Sequence, residues 1–227
     1  MNNFEEGQVL LINKPLRWTS FDVIKKIRNL IRIKKVGHAG TLDPLATGLL
    51  IVCTGKFTKK INEYMAQEKE YTGTFTLGAT TATYDLESEP VNFKSFENIS
   101  EQQIKNAAIQ FIGEISQVPP AHSAIKQDGK RVYELARQGK DVIMQPRKII
   151  IKEFEITNIR LPFVHFKVVC STGTYIRSLA FDFGNVLGCG AYLSSLCRTR
   201  IGDFSLDEAM SIEMFEEKIK NKTASDH

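Results

Sequence analysis

The sequence contains only four cysteines, at positions 53, 170, 189 and 197, and no two of them form a Cys-x-x-Cys pair. This spacing argues against both a disulfide framework and a zinc site. No apolar run approaches the ~20 residues that span a bilayer, and the polar, acidic start at residues 1–6 is unlike a secretory signal. We therefore expect a cytoplasmic protein with reduced thiols.

The usual nucleotide-binding motifs are also missing. A phosphate-binding loop ending at Gly55-Lys56 would need glycine at position 50 and serine or threonine at position 57, where the chain has Leu50 and Phe57. The segment Gly188-Cys189-Gly190 starts like a dinucleotide fingerprint but lacks the third glycine. Neither motif predicts a nucleotide cofactor.

Charge is distributed unevenly along the chain. The net charge of +4 is only mildly basic, but residues 23–42 contain no acidic residue. Such a basic stretch suggests a polyanionic substrate, although a solvated helix face would have the same composition. Its cations are Lys25, Lys26, Arg28, Arg32, Lys34 and Lys35.

The basic stretch leads into a glycine-rich segment at residues 36–52, which contains His38 and Asp43. Glycine permits backbone angles that other residues resist, and Pro44 keeps the chain extended after Asp43. A loop of this kind can present a carboxylate to a ligand. An ordinary surface turn with an incidental aspartate is the alternative.

The periodicity of apolar residues predicts an α+β fold around a mixed, largely antiparallel central sheet flanked by helices. Capping residues Thr19 and Ser100 predict two helix starts, the first with a buried stripe of Phe21, Ile24, Ile27 and Ile31. A polar, mobile tail is expected from Lys220. Strands are predicted at 8–13, 49–54, 69–77, 147–159, 163–170 and 192–201. Further helices are predicted at 56–67 and 131–138, and another follows the segment 171–177 and ends at about residue 187.

Asp43 is the leading candidate for chemistry, because an ionised carboxylate can attack carbon and a nearby arginine would keep it charged. Arg177, in a Ser/Thr-Gly-Thr segment, is the best partner, although it could be an ordinary surface arginine. Tyr71 offers a flat face on which a flipped base could stack, or it is a half-buried strand tyrosine. His38 could stack on a base, act in acid–base chemistry or only bond within its loop.

Several blocks of the sequence resemble the motifs of the TruB family of RNA pseudouridine synthases, in the family's order, over about residues 8–205. The segment Gly37 to Gly48 carries the longest and most specific match. The other matching blocks are Asn13-Lys14-Pro15 with Thr19-Ser20, Lys69-Glu70-Tyr71, Ser123 to Lys126 with Tyr133 to Gly139, Gly173 to Arg177, and Gly190 to Leu193 with Leu196 to Arg198.

This resemblance implies the pseudouridine synthase fold and the isomerisation of uridine to pseudouridine, at uridine 55 in the T loop of tRNA. Asp43 would be the catalytic residue, without a metal or cofactor. The remaining site residues would bind the substrate, with basic segments 25–35, 126–131 and 137–148 gripping phosphates. These residues are His38, Tyr71, Arg177, Leu196 and Lys14, of which Arg177 would pair with Asp43.

The resemblance also implies a catalytic domain at residues 1–205 and a short helical segment and tail at 206–227, without a full C-terminal RNA-binding domain. We expect a monomer that binds the T arm, with no membrane association and no obligatory protein partner. One departure is Arg17-Trp18, where the first motif commonly has glycine and a variable residue. Two alternatives remain: a non-catalytic RNA-binding or RNA-folding protein, and a guide-RNA-dependent catalytic subunit.

Overall fold

The computed structural model describes residues 3–121, 126–127, 130–131 and 144–225. These residues form two compact units. The first comprises the described parts of residues 1–72 and 196–227, and the second those of residues 73–195. Strands β4 (Lys69–Leu77) and β10 (Ala191–Ile201) each contribute residues to both units.

The first unit combines helices with strands of both orientations. Its further elements are α1 (Asn3–Glu6), β1 (Val9–Lys14), α2 (Ser20–Ile31), β2 (Val36–Ala39), β3 (Ala46–Thr54), a 3-10 helix (Gly55–Lys60), α3 (Ile61–Ala66), β11 (Phe204–Ser205), a second 3-10 helix (Leu206–Glu208) and α6 (Ile212–Ser225). β3 is antiparallel to β1 and β2 and parallel to β10. Because β1 occupies one edge of β3, the other edge is shared by β10 at residues 46–48 and β2 at 51–54.

The strands of the second unit lie in the order β10-β4-β9-β8-β5. Its elements are α4 (Glu101–Ile109), β5 (Gly113–Gln117), the short pair β6 (Lys126–Gln127) and β7 (Lys130–Arg131), β8 (Arg147–Arg160), β9 (Phe163–Cys170) and α5 (Ile176–Val186). The β5–β8 and β8–β9 pairings are antiparallel. The mixed, largely antiparallel α+β fold predicted from the sequence is therefore confirmed.

Helix α2 begins where its capping signals predict. The Thr19 hydroxyl accepts a bond from the Asp22 amide, and the Asp22 carboxylate accepts one from the Thr19 amide, which completes a capping box. Below it, Ile24 and Ile27 pack into a cluster of aliphatic side chains from β1, β3 and α6. The core of the second unit is aromatic instead: the rings of Phe75, Phe111, Phe154, Phe166 and Phe183 lie with centroids 4.2–6.4 Å apart.

The predicted stripe of α2 is wrong at its first position, because Phe21 is 61% exposed and Val23 is buried in its place. Phe21 lies one turn before Lys25 on the polar side of the helix, whereas Val23 lies one turn before Ile27.

Other differences concern element boundaries. Residues 36–39 form a strand rather than part of a loop, and β5 follows α4 where only a break was predicted. The segment 56–67 is divided between a 3-10 helix and α3, and the tail predicted from Lys220 is helical to Ser225. The helix predicted at 131–138 lies almost wholly outside the described residues. Within those residues, no helix has the length and apolar character needed to cross a membrane.

Candidate active site

Asp43 lies in a short loop between two antiparallel strands of the first unit. We call residues 40–45, which join β2 to β3, the Asp43 loop. Gly40 opens it with φ of 83°, a left-handed conformation that favours glycine, and the Ala46 amide closes it with a 3.1 Å bond to the Asp43 carbonyl. Asp43 itself is partly buried. The loop therefore presents a carboxylate from a tightly constrained backbone.

Arg198 on β10 links the start of this loop to strand β3. Its guanidinium is buried, with Nε donating to the Leu49 carbonyl at 2.8 Å and Nη2 to the Gly40 carbonyl at 3.1 Å. Gly48 allows the close approach, since a Cβ there would lie 2.4 Å from the Arg198 carbonyl oxygen. Sequence analysis assigned no role to Arg198, although it belongs to the last matching motif.

Lys14 fixes the loop from β1. Its side chain has no exposed surface, and its ammonium donates to the carbonyls of Pro15, Trp18 and Pro44, the last at 3.4 Å. The pKa of Lys14 is lowered from 10.5 to about 8, chiefly by burial; the nearby Asp43 carboxylate opposes this shift and the positive charge of Arg198 contributes to it. Lys14 and Asp43 are thus electrostatic neighbours, and Lys14 bonds to the Asp43 loop at Pro44; its predicted role in substrate binding stays a prediction.

Helix α2 supplies the third attachment. The Ser20 hydroxyl accepts a 2.9 Å bond from the Leu42 amide and donates a 3.3 Å bond to the Leu42 carbonyl, and both residues are buried. The residue that precedes Asp43 is therefore bonded on both of its backbone groups to the first turn of α2.

Two further predicted site residues lie near the Asp43 loop along its flanking strands. His38 on β2 faces Val52 of β3, and burial, with the charge of Arg198, lowers its pKa from 6.5, so the imidazole is neutral at pH 7. Leu196 on β10 pairs with Ala46 at the end of the loop, and its carbonyl accepts a 3.3 Å bond from the Thr47 hydroxyl.

Tyr71 is buried on β4, with 8% of its surface exposed. Its neighbour Glu70 holds β4 to β10, since the Thr199 hydroxyl donates to the Glu70 carboxylate at 2.8 Å and Arg200 lies 3.7 Å from it. The alternative to a functional role for Tyr71 was a half-buried strand tyrosine. Its side chain is buried more deeply than that alternative predicts.

Arg177 belongs to the second unit, in the first turn of α5. Its side chain is 5% exposed, its Nε lies 3.6 Å from Asp85 Oδ2, and its Nη1 donates to the Thr83 carbonyl at 3.2 Å. Asp85 is itself held by the Thr83 hydroxyl at 2.6 Å and the Glu87 amide at 3.0 Å. Sequence analysis did not predict this ion pair. The pairing of Arg177 with Asp43 stays a prediction.

No group of three or more His, Cys, Asp or Glu side chains within the described ranges could hold a metal ion. The first unit thus joins the Asp43 loop to two buried cations, Lys14 and Arg198, and places a neutral imidazole on the preceding strand. The mixed sheet and this carboxylate-bearing loop fit the class that the sequence motifs indicate, the pseudouridine synthases.

Family models and relatives agree with this class. The chain belongs to the TruB family of pseudouridylate synthases, whose N-terminal domain model matches residues 28–176, and a model of the tRNA pseudouridylate synthase B C-terminal domain matches residues 177–227. The tRNA pseudouridine synthase B of Flavobacterium johnsoniae is 55% identical over 222 residues, which cover 95% of this chain and 97% of that protein. The enzyme of the same name from Chlorobaculum tepidum is 49% identical, covering 95% and 92%. The predicted domain boundary at residue 205 stays a prediction.

Solved structures show the same fold. A chain from a Cbf5-Nop10-Gar1 complex is 30% identical with a TM-score of 0.74, and the match covers 94% of this chain and 54% of that one. A chain from an H/ACA RNP bound to a substrate RNA containing 2'-deoxyuridine is 26% identical with a TM-score of 0.75, covering 99% and 56%. This chain thus spans about half the length of those two.

Proposed function

We propose that this pseudouridine synthase isomerises uridine 55 in the T loop of tRNA, with Asp43 as its catalytic residue. The observation that carries the proposal is a partly buried aspartate in a loop whose backbone is fixed by two buried cations, Lys14 and Arg198. Near-identical length and the names of the relatives support tRNA as the substrate. The T loop and position 55 rest on the motif resemblance.

The reaction breaks the C1′–N1 bond of uridine, turns the uracil while it stays bound, and joins C1′ to C5. C5 then loses its proton and N1 gains one, so the product is an isomer of the substrate. Asp43 either attacks C1′ or removes a proton from the sugar to give a glycal. Attraction between Asp43 and Lys14 favours the charged form of each, which both routes require of Asp43.

The base must leave its stack to expose C1′, which requires a few kcal/mol of free energy. The cost is smallest for a base in a loop. We propose that Tyr71 packs against the flipped base, that Leu196 lines its pocket and that neutral His38 contacts the flipped nucleotide. A neutral imidazole can stack on a base without being drawn to the RNA phosphates, because it carries no charge. Arg177 completes the proposed set as the partner of Asp43.

The phosphates would be gripped by part of the basic stretch. Lys26 pairs with Glu216 at 2.6 Å and Arg28 donates to the Val36 carbonyl at 2.7 Å, so these two serve the fold. The exposed cations that remain for RNA are Lys25, Arg32, Lys34 and Lys35. Most of the other two basic segments, 126–131 and 137–148, falls outside the described side chains. We propose that the chain acts as a monomer on the T arm.

The test is pseudouridine formation at every uridine of an unmodified tRNA transcript, read as carbodiimide-dependent stops of primer extension. We expect one stop, in the T loop, with the wild-type chain and none with Asp43→Asn. Asp203→Asn is a matched control, since Asp203 is an exposed acid of the same unit. A stop that survives Asp43→Asn would exclude Asp43 as the catalytic residue.

A guide-RNA-dependent catalytic subunit is a second candidate, favoured by the similarity to the chain from the Cbf5-Nop10-Gar1 complex. Purified wild-type chain on bare tRNA separates the two. Binding of tRNA without any stop would reject the stand-alone enzyme in favour of this candidate or of a non-catalytic RNA-binding protein.

A further inference from the structure

Arg17 has a backbone conformation that arginine rarely adopts. Its φ is 66°, in the left-handed region that favours glycine. Strained residues of this kind persist only where the surroundings fix them, and they concentrate at binding and catalytic sites. The position therefore warrants a search for what the side chain does.

The surroundings of Arg17 fix it to the Asp43 loop. Its amide donates a 2.8 Å bond to the Pro44 carbonyl, one residue after Asp43. The Lys14 ammonium bonds to carbonyls on both sides of Arg17, at Pro15 and Trp18, and to the same Pro44 carbonyl. The backbone around Arg17 is thus hydrogen-bonded to the Asp43 loop, both directly and through the Lys14 ammonium.

The side chain of Arg17, by contrast, contributes no polar contact to the described part of the fold. Arg17 is exposed, and its guanidinium has no hydrogen bond or ion pair with the part of the chain that the structure describes. The nearest acid in the sequence, Asp22, is occupied by the Thr19 amide and hydroxyl at 2.9 and 2.6 Å. The flanking side chains of Leu16 and Phe21 are 53% and 61% exposed. No carboxylate in this segment competes with an external anion.

We propose that Arg17 binds a backbone phosphate of the RNA beside the target nucleotide. A nucleotide whose C1′ reaches Asp43 has phosphates only a few bonds from that carbon. The Arg17 guanidinium lies in the segment that bonds to Pro44, and it has no partner among the described residues. Guanidinium suits phosphate because it offers several donors in a planar fork. Exposed Leu16 and Phe21 would lie against sugar or base faces of the same strand. This inference rests on the proposed function, since it places the target nucleotide at Asp43.

The test compares Arg17→Gly with wild type in the binding of a labelled tRNA transcript between about 50 and 300 mM salt. Release of counterions from one phosphate predicts a loss of roughly four- to sixfold in affinity at about 0.15 M salt, with a salt slope smaller by 0.7–0.9. The melting temperature should not fall, because glycine fits the backbone at φ of 66° without strain. In turnover, the change should raise KM rather than lower kcat.

Two further variants separate a phosphate contact from other effects. Arg17→Lys keeps the charge and should keep the salt slope. Arg160→Gln neutralises another exposed arginine, at the end of β8 in the second unit. Arg160 lies outside the three basic segments proposed to grip phosphates, so its loss should leave the affinity and the salt slope close to those of wild type.

Unchanged affinity and slope in Arg17→Gly would overturn the inference. Equal losses in Arg17→Gly and Arg160→Gln would also overturn it, because they would indicate a diffuse field instead of a contact. A loss of slope in Arg17→Lys as large as in Arg17→Gly would exclude a phosphate partner. Binding is measured without turnover, so a wild-type chain that binds but forms no pseudouridine would reject the proposed function and leave this test intact.

Discussion

Replacing Asp85 with asparagine tests the buried ion pair of the second unit. Asp85 and Arg177 have side chains that are each 5% exposed, and their charged atoms lie 3.6 Å apart. Asparagine has the same shape and keeps an oxygen that can accept from the Thr83 hydroxyl and the Glu87 amide. The substitution therefore removes one charge and little else.

The expected loss of stability follows from these contacts. Removal of one partner of a buried pair costs about 3–5 kcal/mol when the other charge is left uncompensated. Arg177 keeps its 3.2 Å bond to the Thr83 carbonyl, so we expect a smaller loss than that, about 2–3 kcal/mol. For a chain of this size 1 kcal/mol shifts the melting temperature by about 2–4 °C, which gives a decrease of roughly 4–12 °C.

Thermal unfolding measures the shift, and urea unfolding checks that only stability has changed, since the m-value should stay constant. Thr83→Val is the control, because it leaves both charges and removes the hydroxyl that bonds to the Asp85 carboxylate and to the Ser88 hydroxyl; it should cost about 1–2 kcal/mol. Well below both midpoints, Asp85→Asn should lower kcat tenfold to a hundredfold if Arg177 acts on the reacting nucleotide. A melting temperature within 1 °C or so of wild type would refute the ion-pair reasoning.

Two further predictions concern other buried charges. Burial raises the pKa of Asp182 from 3.8 to about 6, so Asp182→Asn should stabilise the protein at pH 7.5 by about 1 kcal/mol, less than the full shift implies because water screens the partly exposed group. Melting curves should show this gain fading as the pH falls from 6 to 4, where the wild-type carboxyl is protonated in the folded state; a constant gain would contradict the assignment. Lys14→Met removes three hydrogen bonds from the ammonium to carbonyls, but it also removes the cost of burying a charge. Urea unfolding should therefore show a net decrease of roughly 2–4 kcal/mol in the free energy of unfolding. An unchanged urea midpoint would mean that the three carbonyls find other donors.

Local signals in the sequence predicted local structure well. The capping boxes at Thr19 and Ser100 are both present, because each depends on residues three apart in the chain. Phe21 was misassigned because helical spacing does not determine which side of the first turn faces the core. Strand β2 was missed since Gly37 and Gly40 indicate a loop, whereas Gly37 lies in a strand with a Cβ position only 2.7 Å from Ile61.

Nonlocal bonds could not be predicted from one sequence. The Arg198 guanidinium reaches the Gly40 carbonyl across 158 positions of the chain, and Arg177 reaches Thr83 across 94. No spacing rule relates such residues, so only the sheet, which places β10 beside β3, brings Arg198 to the Asp43 loop. Lys14 was predicted as a site residue by resemblance alone, and its three carbonyl partners come from the fold.

The bonds that fix the Asp43 loop are made to its backbone and to the segments beside it. Arg198 bonds to the Gly40 carbonyl, Lys14 to the Pro44 carbonyl and Ser20 to both backbone groups of Leu42. These bonds are made without the Asp43 side chain, so Asp43→Asn leaves each of them in place. Asp43→Asn should therefore keep the loop and the fold while it removes the group that reacts. Loss of pseudouridine formation in that variant, at an unchanged melting temperature, would then report on chemistry and not on structure.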